Sequence, residues 1–306
     1  MKPLYLGVLY VFISAACFGV MSIFAVYAYG AGVTVSNLLF LRFLFAAILF
    51  FGLIALRKEG LRLVRKQVVA LFVLGGVLYT LQSLSFFSAV QYIPTSMAAL
   101  LLYTFPVFVA VLTYFVEKEP LRRKTILAML ISLVGLGLVL GLSFGGIQPI
   151  GVVLALAAAL FYSVYIVVGN RVVKGLSPFV TAGYISLFAA ISTFVVAQKD
   201  GGLELSFGAV GWWALAGIVV FSTVMAIGFF FQGLQLIGST KASVLSTLEP
   251  VVTIVFSALL FGESFTMLQL LGGCAVLAGA VLIVSGQEKP ASVEVEKSVS
   301  NRTKAL

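Results

Sequence analysis

The chain has 306 residues, of which 62% are hydrophobic and only 9% are charged. A soluble protein carries roughly 25% charged residues, because polar side chains must cover its surface. This composition excludes a soluble fold. It predicts an all-α polytopic membrane protein whose surface is covered mostly by the lipid bilayer.

The scarce residue types exclude several kinds of chemistry. The sequence contains no histidine, which excludes a Ser-His-Asp triad and a histidine-ligated metal site. Cys17 and Cys274 each lie inside an apolar run and form neither a disulfide framework nor a thiolate metal site. An enzyme is therefore not expected, and neither is a cofactor or a metal. An intramembrane lipid-modifying enzyme is the disfavoured alternative of another class.

Ten apolar runs follow one another along the chain, each near the length of about 20 residues that spans a bilayer. They cover residues 4–28, 35–56, 68–90, 95–116, 125–143, 150–172, 178–197, 210–234, 240–261 and 266–285. The connections between these predicted helices 1 to 10 are too short to hold a soluble domain. Residues 286–306 are polar and charged and are predicted to form a cytoplasmic tail.

Lysine and arginine lie almost entirely in alternate connections, namely those after helices 2, 4, 6 and 8, and in the tail. Because cytoplasmic loops are enriched in these residues, both termini are predicted to be cytoplasmic, in a multi-pass protein of the cell membrane. The net charge of +9 is thereby explained by topology and requires no nucleic acid as a partner.

The two halves of the sequence align at a fixed shift of 144 residues. This shift pairs Pro106 with Pro250, and it also pairs Glu119 with Glu263 and Gln91 with Gln235. Residues 4–143 and 150–285 are therefore predicted to be two repeats of five helices. Because five is odd, the second repeat crosses the membrane in the opposite direction, as in many secondary transporters that bind substrate near the bilayer midplane.

Two equivalent stretches carry a resemblance to a known family. LLYTFPVFVAVLTYFVEKEPL (101–121) and VLSTLEPVVTIVFSALLFGESF (244–265) resemble the fourth and ninth helices of the EamA branch of the drug/metabolite transporter superfamily, and LRF at 41–43 resembles its second-helix arginine motif. The resemblance spans about residues 5–285. It implies ten helices as two inverted five-helix repeats around a central cavity, lined by helices 1, 3, 4, 6, 8 and 9, and outward movement of a small metabolite, often an amino acid.

Glu249 lies deep in predicted helix 9. A charge at the centre of a lone helix costs at least about 2.5–3.5 kcal/mol on insertion scales, so it must face protein or water. Glu249 is interpreted as a proton- or cation-coupling carboxylate or as a ligand for a substrate amine. The alternatives are a buried pair with Arg42 and a helix-bending role. Ser246 and Thr253 share its helical face, and Pro250 cannot donate to the Ser246 carbonyl.

Arg42 lies in the outer half of predicted helix 2. Its guanidinium is a candidate partner for a substrate carboxylate. A structural role, either hydrogen-bonded or extending to the interface, is favoured because the resemblance does not place helix 2 at the cavity.

Helix 3 carries Tyr79, Gln82, Ser83 and Phe86 with the spacing i, i+3, i+4 and i+7. This spacing places them on one face, which is interpreted as a substrate-binding surface. Hydrogen bonding between helices is the alternative. The further candidates for substrate binding are Tyr103, Tyr162, Tyr165 and Gln232, together with Ser246 and Glu249.

Two other features concern packing and motion. Pro106 and Pro250 are predicted to bend equivalent helices and to serve as gating hinges, with a static bend as the alternative. Glycines on helices 5 and 10, among them Gly135, Gly137 and Gly279, predict close helix packing or a dimer contact. A monomer and a homodimer both agree with the sequence.

The expected function is therefore export of amino acids or related small metabolites by alternating access. The alternative within the superfamily is exchange of sugar phosphates or nucleotide sugars. Phosphate groups favour several basic residues in the cavity, whereas Arg42 is the deep basic residue of this chain, with Lys241 near the inner mouth.

Overall fold

A computed structural model describes residues 3–89, 92–93, 98, 101–118, 123–140, 148–199, 201–261 and 266–285. The elements in these ranges are helical and are numbered after the ten predicted helices. They are α1a (Pro3–Gly19), α1b (Met21–Gly30), α2 (Val35–Leu56), α3a (Arg65–Phe72), α3b (Thr80–Ala89), α4 (Phe105–Glu117), α5 (Arg123–Leu140), α6 (Pro149–Val173), α7 (Pro178–Lys199), α8a (Ala209–Val219), α8b (Ala226–Ser246), α9 (Glu249–Phe261) and α10 (Met267–Ser285). Two π-helical segments, Val73–Tyr79 and Val220–Met225, join α3a to α3b and α8a to α8b.

Six helical stretches in the described ranges are long and apolar enough to cross a membrane. They are Pro3–Gly30, Val35–Leu56, Arg65–Phe86, Pro149–Val173, Pro178–Lys199 and Ala209–Ser246. Two shorter apolar helices, Phe105–Val116 and Met267–Leu282, accompany them. Large apolar side chains point outward, for example Leu259, which is 75% exposed. Such exposure fits a surface that contacts lipid.

The pairing of helices follows the sequence repeat. A Cβ atom added to Gly7 on α1a would lie 2.5 Å from Cγ2 of Ile237 on α8b. One added to Gly151 on α6 would lie 2.8 Å from Cγ2 of Ile93. The two contacts correspond under the shift of 144 residues, which pairs Gly7 with Gly151 and Ile93 with Ile237. In each half, the first helix therefore packs against the third helix of the other half.

Equivalent helices of the two halves run antiparallel where they meet. On α2 and α7, the rings of Phe40 and Phe194 lie 5.2 Å apart, and those of Phe51 and Tyr184 also lie 5.2 Å apart. The larger number on one helix faces the smaller number on the other. This opposed direction is what two repeats of opposite orientation produce.

The fourth and ninth helices are interrupted at equivalent positions. The helical hydrogen-bonding pattern breaks at residues 103–104, before α4 begins at Phe105, and at residues 247–248, before α9 begins at Glu249. The turn amide of Thr104 donates to the Leu101 carbonyl at 3.2 Å, and that of Leu248 donates to the Leu245 carbonyl at 3.1 Å. These bonds also correspond under the shift.

The third and eighth helices share a different interruption, the π-helical segment. In each, a threonine hydroxyl donates to the carbonyl five residues earlier: Thr80 to Gly75 at 3.2 Å and Thr223 to Ile218 at 2.9 Å. A π segment inserts an extra residue into a turn and changes the direction of the side chains that follow. Hydropathy and residue spacing do not predict these segments.

The boundary between predicted helices 8 and 9 is a single residue. Gly238 has φ of +78° and ψ of 171°, a backbone conformation that glycine adopts without steric cost, and helical structure resumes at once. The predicted start of helix 4, the residues Gln91, Glu119 and Glu263, and the tail 286–306 lie outside the described residues.

The close approach of α5 to α10 predicts a position-specific effect of methyl groups. A Cβ atom on Gly135 would lie 2.7 Å from the Gly272 carbonyl oxygen and 2.8 Å from Cβ of Ala275. The substitution Gly135→Ala should therefore lower the free energy of unfolding by about 1–3 kcal/mol. Thermal unfolding in detergent, followed by size-exclusion chromatography of the remaining fold, measures the change.

The matched control for this substitution is Gly137→Ala on the same helix. A Cβ atom there meets nothing within 4 Å, so we expect no loss and a gain of up to about 1 kcal/mol from helix propensity. Equal effects of the two substitutions would contradict the packing of α5 on α10.

Candidate functional site

The interruptions in the fourth and ninth helices follow from the two prolines. Pro106 and Pro250 each occupy the second residue of their helix, α4 or α9. Proline has no N–H to donate and its ring clashes with the carbonyl four residues earlier. A helix tolerates it in the first turn, so each helix ends and restarts just before its proline. Glu249 is thereby placed in the first turn of α9.

Each break is covered by a helix of the other repeat. The Ser163 hydroxyl on α6 donates to the Phe105 carbonyl at 3.1 Å. At the equivalent place, Gly19 on α1a lies so close to the Glu249 carbonyl oxygen that an added Cβ atom would be 2.8 Å from it. Thr253 completes this contact by donating to the Gly19 carbonyl at 2.8 Å. Phe105 and Glu249 are thus equivalent residues in a shared scaffold.

The Glu249 carboxylate faces a side chain that belongs to the other break. The Tyr103 hydroxyl lies close enough to interact with it, and Tyr103 is 9% exposed. Glu249 itself is half-buried. Tyr162 on α6 and Arg42 on α2 lie near enough for their charge or dipole to act on the carboxylate. Among the described residues, no ion pair within 4.0 Å joins Glu249 to Arg42. The predicted pairing of these two residues is therefore a longer-range electrostatic attraction.

Aromatic rings connect Glu249 to the opposite side of the site. The ring of Tyr162 lies 5.9 Å from that of Tyr165, stacked, and 4.8 Å from that of Phe105, edge-on. Tyr165 continues to Tyr79 at 5.4 Å. Such separations are typical of favourable aromatic pairs. The third, fourth, sixth and ninth helices therefore contribute to one polar and aromatic cluster.

Arg42 closes the far end of this cluster. Its Nη2 donates to the Tyr79 hydroxyl at 2.8 Å and its Nη1 to the Met21 sulfur at 3.1 Å. The guanidinium also lies 4.6 Å from the centre of the Phe43 ring. Arg42 is only 4% exposed. Of the two structural roles considered for it, the side chain adopts the hydrogen-bonded one and does not extend to the interface.

The remaining candidates have separate surroundings. Gln82 accepts from the Ser83 hydroxyl at 3.3 Å. Phe86 packs in a distinct apolar group with Ala89 and Ala155. The bonds of the last two stay within their own helix: Gln232 donates to the Gly228 carbonyl at 3.2 Å, and Ser246 to the Ala242 carbonyl at 2.9 Å. Of the predicted residues, Arg42, Tyr79, Tyr103, Tyr162, Tyr165 and Glu249 are brought together.

Sequence reasoning missed several neighbours of this cluster. Phe105 was detectable, because the repeat pairs it with Glu249. Met21, Phe43 and Ser163 carry no signal in an apolar sequence, since their roles depend on which helices meet. Among the described residues, no group of three histidine, cysteine or acidic side chains could hold a metal ion.

Two interlocked repeats of apolar helices, with a buried polar cluster where helices from both are broken, define a membrane transporter. Residues 5–141 and residues 149–285 each match the EamA-like transporter family. The chain belongs to this family, within the drug/metabolite transporter superfamily, and is a multi-pass membrane transporter rather than an enzyme.

Known relatives agree with this assignment over most of their length. An uncharacterized transporter of Archaeoglobus fulgidus is 31% identical over 278 residues, which cover 88% of this chain and 93% of the relative. The threonine/homoserine exporter RhtA of Salmonella typhimurium is 27% identical over 226 residues, or 73% of each chain. A crystal structure of a protein 20% identical in sequence superposes with a TM-score of 0.78 over 90% of this chain and 96% of that one.

The bond between Arg42 and Tyr79 predicts a stability effect. The substitution Tyr79→Phe removes the oxygen acceptor of a buried cation while leaving the ring in place. Because bonds to charged groups contribute about 1.5–3 kcal/mol, the free energy of unfolding should fall by about that amount. Thermal unfolding in detergent measures it.

The control is Tyr5→Phe, since Tyr5 is 51% exposed near the start of α1a, and its unfolding temperature should stay at the wild-type value. A Tyr79→Phe protein as stable as wild type would show that the bond to Arg42 contributes nothing.

Proposed function

We propose that this protein is a secondary transporter that exports amino acids or related small metabolites by alternating access. The observation that carries the proposal is the polar cluster at the paired helix breaks. Glu249 and Tyr103 come from equivalent breaks in different repeats and lie close enough for their side chains to interact. A site built from both repeats changes shape when one repeat moves against the other, which is what alternating access requires.

The proposed topology has ten membrane-spanning helices in two inverted five-helix repeats around a central cavity. The repeats are residues 4–143 and 150–285, followed by a polar cytoplasmic tail. The antiparallel meeting of α2 with α7 supports the inversion. The basic connections after helices 2, 4, 6 and 8 support cytoplasmic termini in the cell membrane, because basic residues favour that side.

Three polar contacts close the structure on the proposed cytoplasmic side. Arg171 near the end of α6 donates to the Val116 carbonyl at 2.5 Å, and Gln235 donates to the Val173 carbonyl at 2.8 Å. A third bond joins Thr113 to Ser239 at 3.1 Å. Inward opening requires these bonds to break. The breaks before Pro106 and Pro250 are the proposed hinges, because helices bend where their hydrogen bonding is interrupted.

The chemistry of the cluster fits an amino compound. In this proposal the Glu249 carboxylate binds an ammonium group or the coupling ion. The surrounding tyrosine rings add attraction for a cation, since a ring face attracts positive charge within about 6 Å. The similarity to RhtA, a threonine/homoserine exporter, supports amino acids as the first solutes to test. Gln82, Ser83, Phe86, Gln232 and Ser246 are proposed to line the rest of the substrate path.

Reconstitution tests the function directly. Purified protein in liposomes loaded with unlabelled amino acid should take up labelled L-threonine, L-homoserine or another member of a panel of the twenty amino acids by counterflow. Liposomes loaded in the same way but without protein, called empty liposomes here, are the control. Counterflow no faster than in empty liposomes across amino acids, amines and phosphorylated sugars would refute the transport proposal, and counterflow of phosphorylated sugars alone would favour the exchanger.

The coupling role of Glu249 has its own test. The substitution Glu249→Gln keeps the shape but removes the charge that would carry a proton, so uptake driven by a pH gradient should fall by at least about tenfold. Counterflow that continues in this variant assigns Glu249 to proton coupling, whereas counterflow that is lost in parallel assigns it to the substrate ammonium group. Glu204→Gln, at an exposed position in the connection before α8a, is the control and should transport as wild type. Unchanged pH-driven transport in Glu249→Gln would remove the coupling role.

A further inference from the structure

Arg42 is a buried cation with too few acceptors. Its guanidinium has five N–H donors and no acceptor of its own. One oxygen, that of Tyr79, accepts from Nη2. Nη1 meets the sulfur of Met21, which is a weak acceptor. Nε is buried and has no hydrogen-bond partner among the described residues.

Among the described residues, the charge of Arg42 also has no direct counter-ion. In the part of the chain that the structure describes, the ion pair within 4.0 Å joins Arg57 to Glu59 on a loop. Glu249 acts on Arg42 only from a greater distance. Buried arginine is normally paired, because an unpaired charge away from water is strongly destabilising. A group that supplies negative charge to Arg42 would therefore be bound favourably.

The side chains that shield Arg42 also give access to it. Met21 begins α1b, directly after the interruption at Val20, and Tyr79 ends a π-helical segment. Both are only half-buried although they lie deep in the bundle. Met21 is flexible and unbranched, so it can swing aside at low cost. A solute that contacts Tyr79 and displaces the Met21 sulfur reaches the guanidinium.

We propose that Arg42 binds a substrate carboxylate, at the opposite end of the aromatic cluster from Glu249. This inference rests on the proposed transport function and deepens it. The site then has a cation at one end and a carboxylate at the other, connected by Tyr79, Tyr165 and Tyr162. It selects zwitterionic solutes, which carry a carboxylate and an ammonium group, over amines, amides and phosphate esters. A phosphate dianion finds a single guanidinium there and is repelled by Glu249.

A substitution at Met21 tests the carboxylate site without any solute. In the full-length protein, Met21→Glu places a carboxylate of nearly the same length beside Arg42, and Met21→Gln places an uncharged acceptor of the same size. We expect the Glu variant to unfold at a higher temperature than the Gln variant, because it supplies the missing counter-charge. Equal stability, or a less stable Glu variant, overturns the assignment of Arg42.

Transport supplies the second readout. The internal carboxylate of Met21→Glu should compete with the solute, so counterflow of amino acids should fall by about tenfold or more relative to Met21→Gln, the range expected of a charge-assisted bond. Wild-type counterflow should be inhibited at least about tenfold more strongly by an L-amino acid than by its amide. In Arg42→Gln this preference should disappear.

The outcomes separate the two proposals. If wild type transports amino acids and Arg42→Gln keeps the full preference for acid over amide, the Arg42 inference fails and the transport function stands. If no solute crosses the membrane but Met21→Glu is more stable than Met21→Gln, the proposed function fails and the anion site remains. Should Arg42→Gln not fold, the Met21 pair decides by itself.

Discussion

The structure depends on the rule that backbone polar groups inside a bilayer must be satisfied by protein, because lipid offers no hydrogen bonds. Pro106 and Pro250 have no N–H to donate, so the hydrogen-bonding pattern of the fourth and ninth helices is interrupted at two equivalent places. Such interruptions are tolerated only where they are buried in protein or line water. The Ser163 hydroxyl covers the first break, and Gly19 packs against the second. Each covering helix belongs to the opposite repeat, so the breaks bind the two halves together.

The scaffold is symmetric, but its chemistry is not. Glu249 has Phe105 as its equivalent, and Arg42 has Ser186. Two identical charges at equivalent positions would repel each other near the centre of the fold, whereas one acid and one base attract at a distance without a direct contact. The backbone positions of the two halves are equivalent, but the side chains differ. The cluster therefore has an acid, Glu249, at one end and a base, Arg42, at the other.

The π-helical segments place the side chains that the site uses. Tyr79 is the last residue of the segment Val73–Tyr79, and its hydroxyl meets Arg42 while its ring meets Tyr165. A regular helix keeps 3.6 residues per turn and would point the following residues elsewhere. Beyond this segment, the residues of the predicted helix-3 face have different partners: Tyr79 joins the cluster, Gln82 bonds to Ser83, and Phe86 packs in a separate apolar group.

The sequence by itself determined the membrane setting, the order of the helices, the repeat with its shift of 144 residues and the two deep charges, because length, hydropathy and scarce residues are local properties of a chain. It also located both interruptions through their prolines. Only the tertiary structure decided that Tyr103 lies beside Glu249, that Arg42 meets Met21 and Tyr79, and that Gly135 packs into α10 while Gly137 faces open space. These contacts join residues far apart in the chain, and in a sequence this apolar the same glycine, tyrosine or methionine fits a packed, a lipid-facing or a cavity position equally well.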